Sequence, residues 1–187
     1  IVGRGDTKMN SHLTMILTCV FFLILGIFLG NGAVYFFNKM PGKWLVDYGQ
    51  EPDEELLHPT RQRVKSTPWK YVFTGFFIVV GITMGTDDPY YAFAAVFALW
   101  LLLEMSIADI KYMIVPDRLI LLLLVCGIGL IPRNEAGMTG CLIGAAAGFA
   151  VIGLTAFIGW LIYKKIAVGG ADIKLFASLG LLTGIEG

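Results

Sequence analysis

Apolar residues fall into six runs, more than a chain of this size has the means to bury against one another. They extend over Leu13 to Phe37, Trp69 to Gly85, Tyr90 to Ala108, Leu119 to Ile131, Met138 to Tyr163 and Ile173 to Ile185. A helix needs about 20 apolar residues to cross a bilayer, or a few fewer when flanking residues anchor it. With 57% hydrophobic residues, 15% charged and a mean hydropathy of +0.76, the composition excludes an ordinary soluble domain. The reading is an all-α, polytopic membrane helical bundle with about six transmembrane segments.

The segments divide as a tail over 1–12, a first transmembrane helix over 13–37, a loop over 38–70 and a transmembrane core over 69–187. Ile1 to Lys8 differ in character from the rest of the chain, and Met9 reads as the natural start, so the residues before it are expected to be an addition. The run from Leu13 is too long for a signal peptide and lacks the basic region and small-residue cleavage site of one, so it is expected to be retained. The last run reaches about half a span, and more helix is expected beyond Gly187.

Cys19, Cys126 and Cys141 all lie inside apolar runs, with no spacing that suits a metal site or a disulfide framework. The formal net charge is zero and no basic stripe carries interleaved aromatics, so no nucleic-acid partner is expected. The distribution of charge is more telling. Lys39, Lys43, Arg61, Arg63, Lys65, Lys70, Lys111, Arg118, Lys164, Lys165 and Lys174 fall on one side of the alternating spans, which is 11 of the 14 basic residues. Arg4, Lys8 and Arg133 fall on the other. Basic residues mark cytoplasmic loops, so the N-terminus is expected outside and the 38–70 loop inside. That loop holds six basic and five acidic residues, with Pro41, Pro52, Pro59 and Pro68 interrupting any long helix; it reads as a connector in contact with anionic lipid headgroups.

This threading brings a repeated tetrapeptide to one membrane face. Ala-Asp-Ile-Lys occurs at 108–111, where the third span ends, and again at 171–174, where the sixth begins. One Asp at a helix end reads as a cap or a headgroup contact. The surroundings of these two say more. Asp109 is followed by Ile114-Val115-Pro116-Asp117-Arg118, where Pro116 stops one element and Asp117 is placed to cap the next. Asp172 follows Gly169-Gly170-Ala171, small residues that permit close backbone approach. Irregular backbone at membrane depth is tolerated where protein or a wet cavity surrounds it. Two close carboxylates share a proton, one serving as base toward water and the other as acid toward a carbonyl oxygen. Neither a metal nor a covalent nucleophile is required.

These residues resemble the type IV prepilin peptidases, membrane aspartic endopeptidases of the GxGD class. "ADIKYMIVPDRL" at 108–119 is similar to the family segment that runs from one catalytic Asp to a Pro-Asp, and "GGADIKLFASLG" from Gly169 is similar to the Gly-rich turn that ends in the other. Ala171 stands where a strict GxGD has Gly. "LGIFLGNGAVYFFNKMPG" at 25–42 is similar to the family's opening helix. The resemblance implies Asp109 and Asp172 as catalytic residues, supported by Asp117, Gly169, Gly170, Lys111 and Lys174. It further implies a bacterial inner-membrane protein with its site at the cytoplasmic face. The implied substrates are type IV prepilins or pseudopilins, cut after the Gly of a short basic leader. No cofactor is implied for proteolysis; S-adenosylmethionine is implied only if N-methylation is retained. The loop lacks the paired CxxC zinc motifs of the larger members.

Lys111 and Lys174 each follow an Asp by two residues, a spacing that does not face it on a helix, so they read as interface anchors, with electrostatic support of the site as the alternative. Glu104, well inside a span, reads either as a group hydrogen-bonded to a neighbouring helix or as a contact to a substrate's hydrophobic stretch. Gly140, Gly144 and Gly148 form a close-packing face. Trp44, Trp69, Trp100 and Trp160 mostly read as interfacial aromatics. Two other functions fit paired membrane aspartates. A presenilin-like intramembrane protease would pair Tyr with the first Asp, where this chain has Ala108, and would carry a Pro-Ala-Leu motif that does not occur. A small ion-coupled transporter would bind a cation or proton at the aspartates. A pure assembly scaffold leaves the pair unexplained.

Overall fold

The computed structural model describes residues 3–46, 49–52, 54–58, 62–164 and 169–185, and everything said of the fold concerns these. Among them the chain is helical, without strands. It runs α1 (Gly3–Lys39), a 3-10 turn (Gly42–Trp44), α2 (Glu54–Leu57), α3 (Trp69–Gly85), α4 (Pro89–Tyr112), α5 (Asp117–Leu130), a 3-10 turn (Ile131–Arg133), α6 (Gly137–Tyr163) and α7 (Gly170–Thr183). The stretches His12–Lys39, Pro89–Tyr112 and Gly137–Tyr163 are long and apolar enough to cross a membrane. The 17-residue α3 is about 26 Å long, and the 14-residue α5 and α7 about 21 Å each, against a hydrocarbon core of about 30 Å. The fold is an all-α membrane bundle with long and short apolar helices. Helix α1 begins at Gly3, within the stretch read as a tail.

The chain divides into two compact units, 1–40 with 58–100 and 41–57 with 101–187, and α4 contributes to both. In the first, α1 and α3 pack antiparallel. The contact is made by small residues on each helix. A Cβ on Gly26 would stand 2.6 to 2.9 Å from atoms of Ile78, one on Gly30 would overlap Thr74, and Gly81 and Gly85 leave room for the buried ring of Phe22. In hydrocarbon, helices gain no hydrophobic drive to associate, and close backbone approach with dispersion contacts takes its place. Trp100 belongs to this packing. It is buried and donates from Nε1 to the carbonyl of Leu29 at 3.2 Å, so its indole serves helix packing, unlike the interfacial aromatic expected from sequence.

The C-terminal end of α1 is closed by the segment that leads into α3. Asn38 exchanges two bonds with the backbone of Val64, donating to its carbonyl at 3.0 Å and accepting from its N–H at 2.8 Å. The buried Arg63 guanidinium donates to the carbonyls of Phe37 and Met40. A cation at a helix C-terminus satisfies orphan carbonyls and opposes the dipole. Arg63, counted among the headgroup-facing cations, therefore has its charge committed to α1.

In the second unit α7 packs against α6 and α5. The order of contacts sets the directions. Gly144 meets Gly180 and Gly184 while Gly148 meets Phe176, so α6 and α7 are antiparallel; Gly127 meets Leu181 and Leu182 while Asp117 meets Lys174, so α5 and α7 are parallel. The glycine stripe of α6 is the packing face its spacing predicts. A Cβ on Gly180 would overlap the carbonyl of Gly144, and one on Gly148 the carbonyl of Phe176. Asn134 then holds the far end of α7, donating from Nδ2 to the carbonyls of Leu182 and Thr183 at 3.2 Å each and accepting from Ala136 N–H at 3.0 Å.

Replacing Gly180 by Val should lower the thermal midpoint in detergent, at a cost of about 1–3 kcal/mol for overpacking. Gly153→Val, at a position where an added Cβ meets nothing within 4 Å, should leave the midpoint close to that of the unaltered protein. Equal effects of the two would show that the α6–α7 contact does not hold the unit together.

Candidate active site

Parallel packing of α5 and α7 puts their first turns at the same end of the second unit. Asp172 lies in the first turn of α7 and Asp109 in the last turn of α4, and only residues 113–116 separate α4 from α5. That connection is tightly drawn. Met113 N–H donates to the carbonyl of Asp109 at 2.8 Å, Met113 has φ 55, and Pro116 is extended at the N-cap of α5. A left-handed residue that is not Gly, Asn or Asp is uncommon; here it ends α4 and turns the chain within four residues toward α5.

Pro116, without a side-chain donor or acceptor, occupies the cap position, and Asp117 is the first residue inside α5. The side-chain cap expected of Asp117 is therefore not formed. Its carboxylate favours the helix N-terminus by charge alone, and both of its oxygens accept from Lys174 Nζ, at 3.0 and 2.8 Å. This ion pair links the segment downstream of Asp109 with the one that carries Asp172. Lys111 instead lies over the ring of Tyr112, 5.7 Å from its centroid.

A cleft of about 520 Å³ opens at this end, lined among others by Lys43, Pro116, Asp117, Arg118, Gly170 and Lys174. Trp44 also lines it, with the Arg118 guanidinium 4.8 Å from its ring centroid. Three cations face one carboxylate here, so the cleft itself does not attract a basic peptide. Asp109 and Asp172 stand beside the cleft without lining it. Asp109 is exposed and Asp172 partly so, and among the described residues neither carboxylate has a hydrogen-bond or ion-pair partner. The structure thus joins Asp117, Gly170 and Lys174 in one cleft and, among the described residues, leaves Asp109 and Asp172 without a side-chain partner.

The two glycines before Asp172 differ from expectation. Gly169 caps α7 at φ −69 and ψ 147, a conformation open to any residue, and a Cβ there would meet only Asp172 Oδ2 at 3.4 Å; one on Gly170 would meet nothing within 4 Å. Close backbone approach occurs farther along α7, at Gly180. Glu104 is the site-like residue whose surroundings sequence left open. Its side chain is 0% exposed, and both carboxyl oxygens are without a hydrogen-bond partner among the described residues. The polar hydroxyls of nearby spans bond back to their own helices, as Ser106 does to the carbonyl of Leu102.

Residues 95–187, the stretch that carries Asp109, Asp117, Asp172 and Lys174, match the type IV leader peptidase family, and that segment belongs to it. The chain is similar to the prepilin leader peptidase/N-methyltransferase of Bacillus subtilis (strain 168), with 34% identity over 112 residues. The alignment covers 59% of this chain and 42% of that relative, so the chain spans less than half the length of the curated protein it matches. No solved structure matches it significantly.

Gly170→Ala should leave the thermal midpoint unchanged or slightly raised, because the first position of a helix accepts Ala and the loss of backbone freedom in the unfolded chain contributes about 0.4–1 kcal/mol. A clear fall in the midpoint would show that the start of α7 is packed more closely than described.

Proposed function

We propose that the chain is a membrane aspartic endopeptidase that removes the short basic leader of type IV prepilins or pseudopilins. The observation that carries this reading is the meeting of the two family segments at one end of the second unit, through the contact of Asp117 with Lys174. It is supported by the family match over 95–187 and by the name of the bacterial relative.

Asp109 and Asp172 share one proton in the reactive state. The ionised carboxylate takes a proton from water, whose oxygen bonds to the scissile carbonyl carbon, while the protonated carboxyl gives its proton to the carbonyl oxygen. Collapse of the resulting diol breaks the C–N bond. The leaving nitrogen takes the proton from the first carboxyl, and a diol hydroxyl returns one to the second. Because the aspartates carry no other partner among the described residues, both are available to water and to a peptide.

In this reading the 38–70 loop and the aspartates face the cytoplasm and the N-terminus lies outside, as the loop charges suggest, in the inner membrane of a bacterium. A prepilin whose leader stays in the cytoplasm then presents its cleavage site at the depth of the aspartates. Anionic headgroups suit the basic residues of the same face. The N-methyltransferase activity in the relative's name is not carried over. The 38–70 loop has no cysteine to bind zinc, and a cleft lined by Lys43, Arg118 and Lys174 does not suit the sulfonium cation of S-adenosylmethionine.

Reconstituted protein should cleave a prepilin with a Gly-ended leader, and Asp109→Asn and Asp172→Asn should each lower the rate at least about a hundredfold with the thermal midpoint retained. Cleavage that survives either substitution would sink the dyad, and proton- or sodium-dependent transport without cleavage would favour the transporter.

A further inference from the structure

We propose that the Asp117–Lys174 ion pair is the clasp that sets the rotation of α7, and with it the direction of Asp172 relative to the segment of Asp109. Asp117 and Lys174 are thus positioning residues; the inference rests on the peptidase reading only for its consequence in catalysis.

The clasp sits close to both carboxylates along the chain. Asp117 comes eight residues after Asp109, and the path between them is constrained by the last turn of α4, the left-handed Met113 and the extended Pro116. Lys174 comes two residues after Asp172, which places it about 200° farther around α7. The pair therefore holds the opposite side of the helix from Asp172, and does not compete with Asp172 for the space in front of it.

The packing farther along α7 does not replace this contact. Gly180 and Phe176 meet α6 and Leu181 meets α5, all beyond the first turn, while a Cβ on Gly170 would meet nothing within 4 Å and one on Gly169 only Asp172 Oδ2 of its own helix. The first turn has its own local bond, from Asp172 N–H to the carbonyl of Gly169 at 3.2 Å, but that bond does not reach α5. The ion pair does, with both oxygens of Asp117 engaged by one ammonium group. The neighbouring cation on α5, Arg118, is stacked on Trp44 and leaves Asp117 to Lys174.

Lys174 and Asp117 are 59% and 52% exposed in their side chains, and a pair so open to solvent contributes little to global stability. Its loss should consequently move alignment without unfolding the protein. A structural role alone would move the thermal midpoint; a positioning role moves kcat with KM nearly unchanged.

The test compares the full chain, reconstituted in lipid nanodiscs, with Asp117→Lys, Lys174→Asp, the double exchange of the two, Asp117→Asn and Lys174→Arg. Amide hydrogen exchange over 113–118 and 169–174 is measured alongside prepilin cleavage. Each charge reversal, and Asp117→Asn, should raise exchange in these segments severalfold and lower kcat about tenfold. The double exchange should restore both to within about threefold, and Lys174→Arg should stay near the unaltered protein. Unchanged exchange in the single variants, or a double exchange no better than either single one, would overturn the clasp whatever the cleavage result. Exchange that tracks the ion pair while the unaltered protein cleaves no prepilin would support the clasp and remove the peptidase reading.

Discussion

The second unit depends on two helix backbones being able to touch. At Gly144 and Gly180 there is no side chain between α6 and α7, and a single Cβ on either would overlap the other's carbonyl. Apolar side chains gain nothing from leaving lipid for a neighbouring helix, so the association rests on contact distance and on the polar groups that close the helix ends. With α7 held against α6 in antiparallel sense and against α5 in parallel sense, the first turns of α5 and α7 emerge at one end. The position of Asp172 beside the segment downstream of Asp109 is a consequence of that glycine contact some two turns away.

Backbone polarity imposes the second condition. An apolar medium offers no partner to a free carbonyl or N–H, so helix ends and polar side chains must be satisfied within the protein. Asn38 and Arg63 do this for the end of α1, and Asn134 for the end of α7. Hydroxyls within the spans bond to carbonyls one turn back, as at Thr83, Ser106 and Thr155. Glu104 stands apart from this pattern, fully covered and without a partner among the described residues.

Much of the fold is legible in the order of residues alone. The apolar run Trp69 to Gly85 coincides with α3, and those over Leu119 to Ile131 and Met138 to Tyr163 lie within a residue or two of α5 and α6. Hydropathy is local, so it marks where a helix lies in the chain. Gly140, Gly144 and Gly148 announce a contact face because a repeat of four puts small residues on one side of a helix. The partner face is less legible: Gly180 has a companion four residues on in Gly184, but that residue lies just past the end of α7, and the third contact is made by the backbone of Phe176. Arg63 and Trp100 mislead for a related reason, since charge and aromaticity suit an interface as well as a packed helix end, and only the neighbours that fold against them decide between the two.

By itself the sequence determined the class of architecture, the limits of most helices and the two motifs that point to leader peptidases, because hydropathy and short motifs are written in adjacent residues. The tertiary structure alone decided that α5 and α7 run parallel, that Lys174 reaches across to Asp117, and that the glycines holding α7 lie beyond its first turn. These are relations between residues 28 to 57 positions apart, and they exist only once backbone contact has fixed which helix faces which.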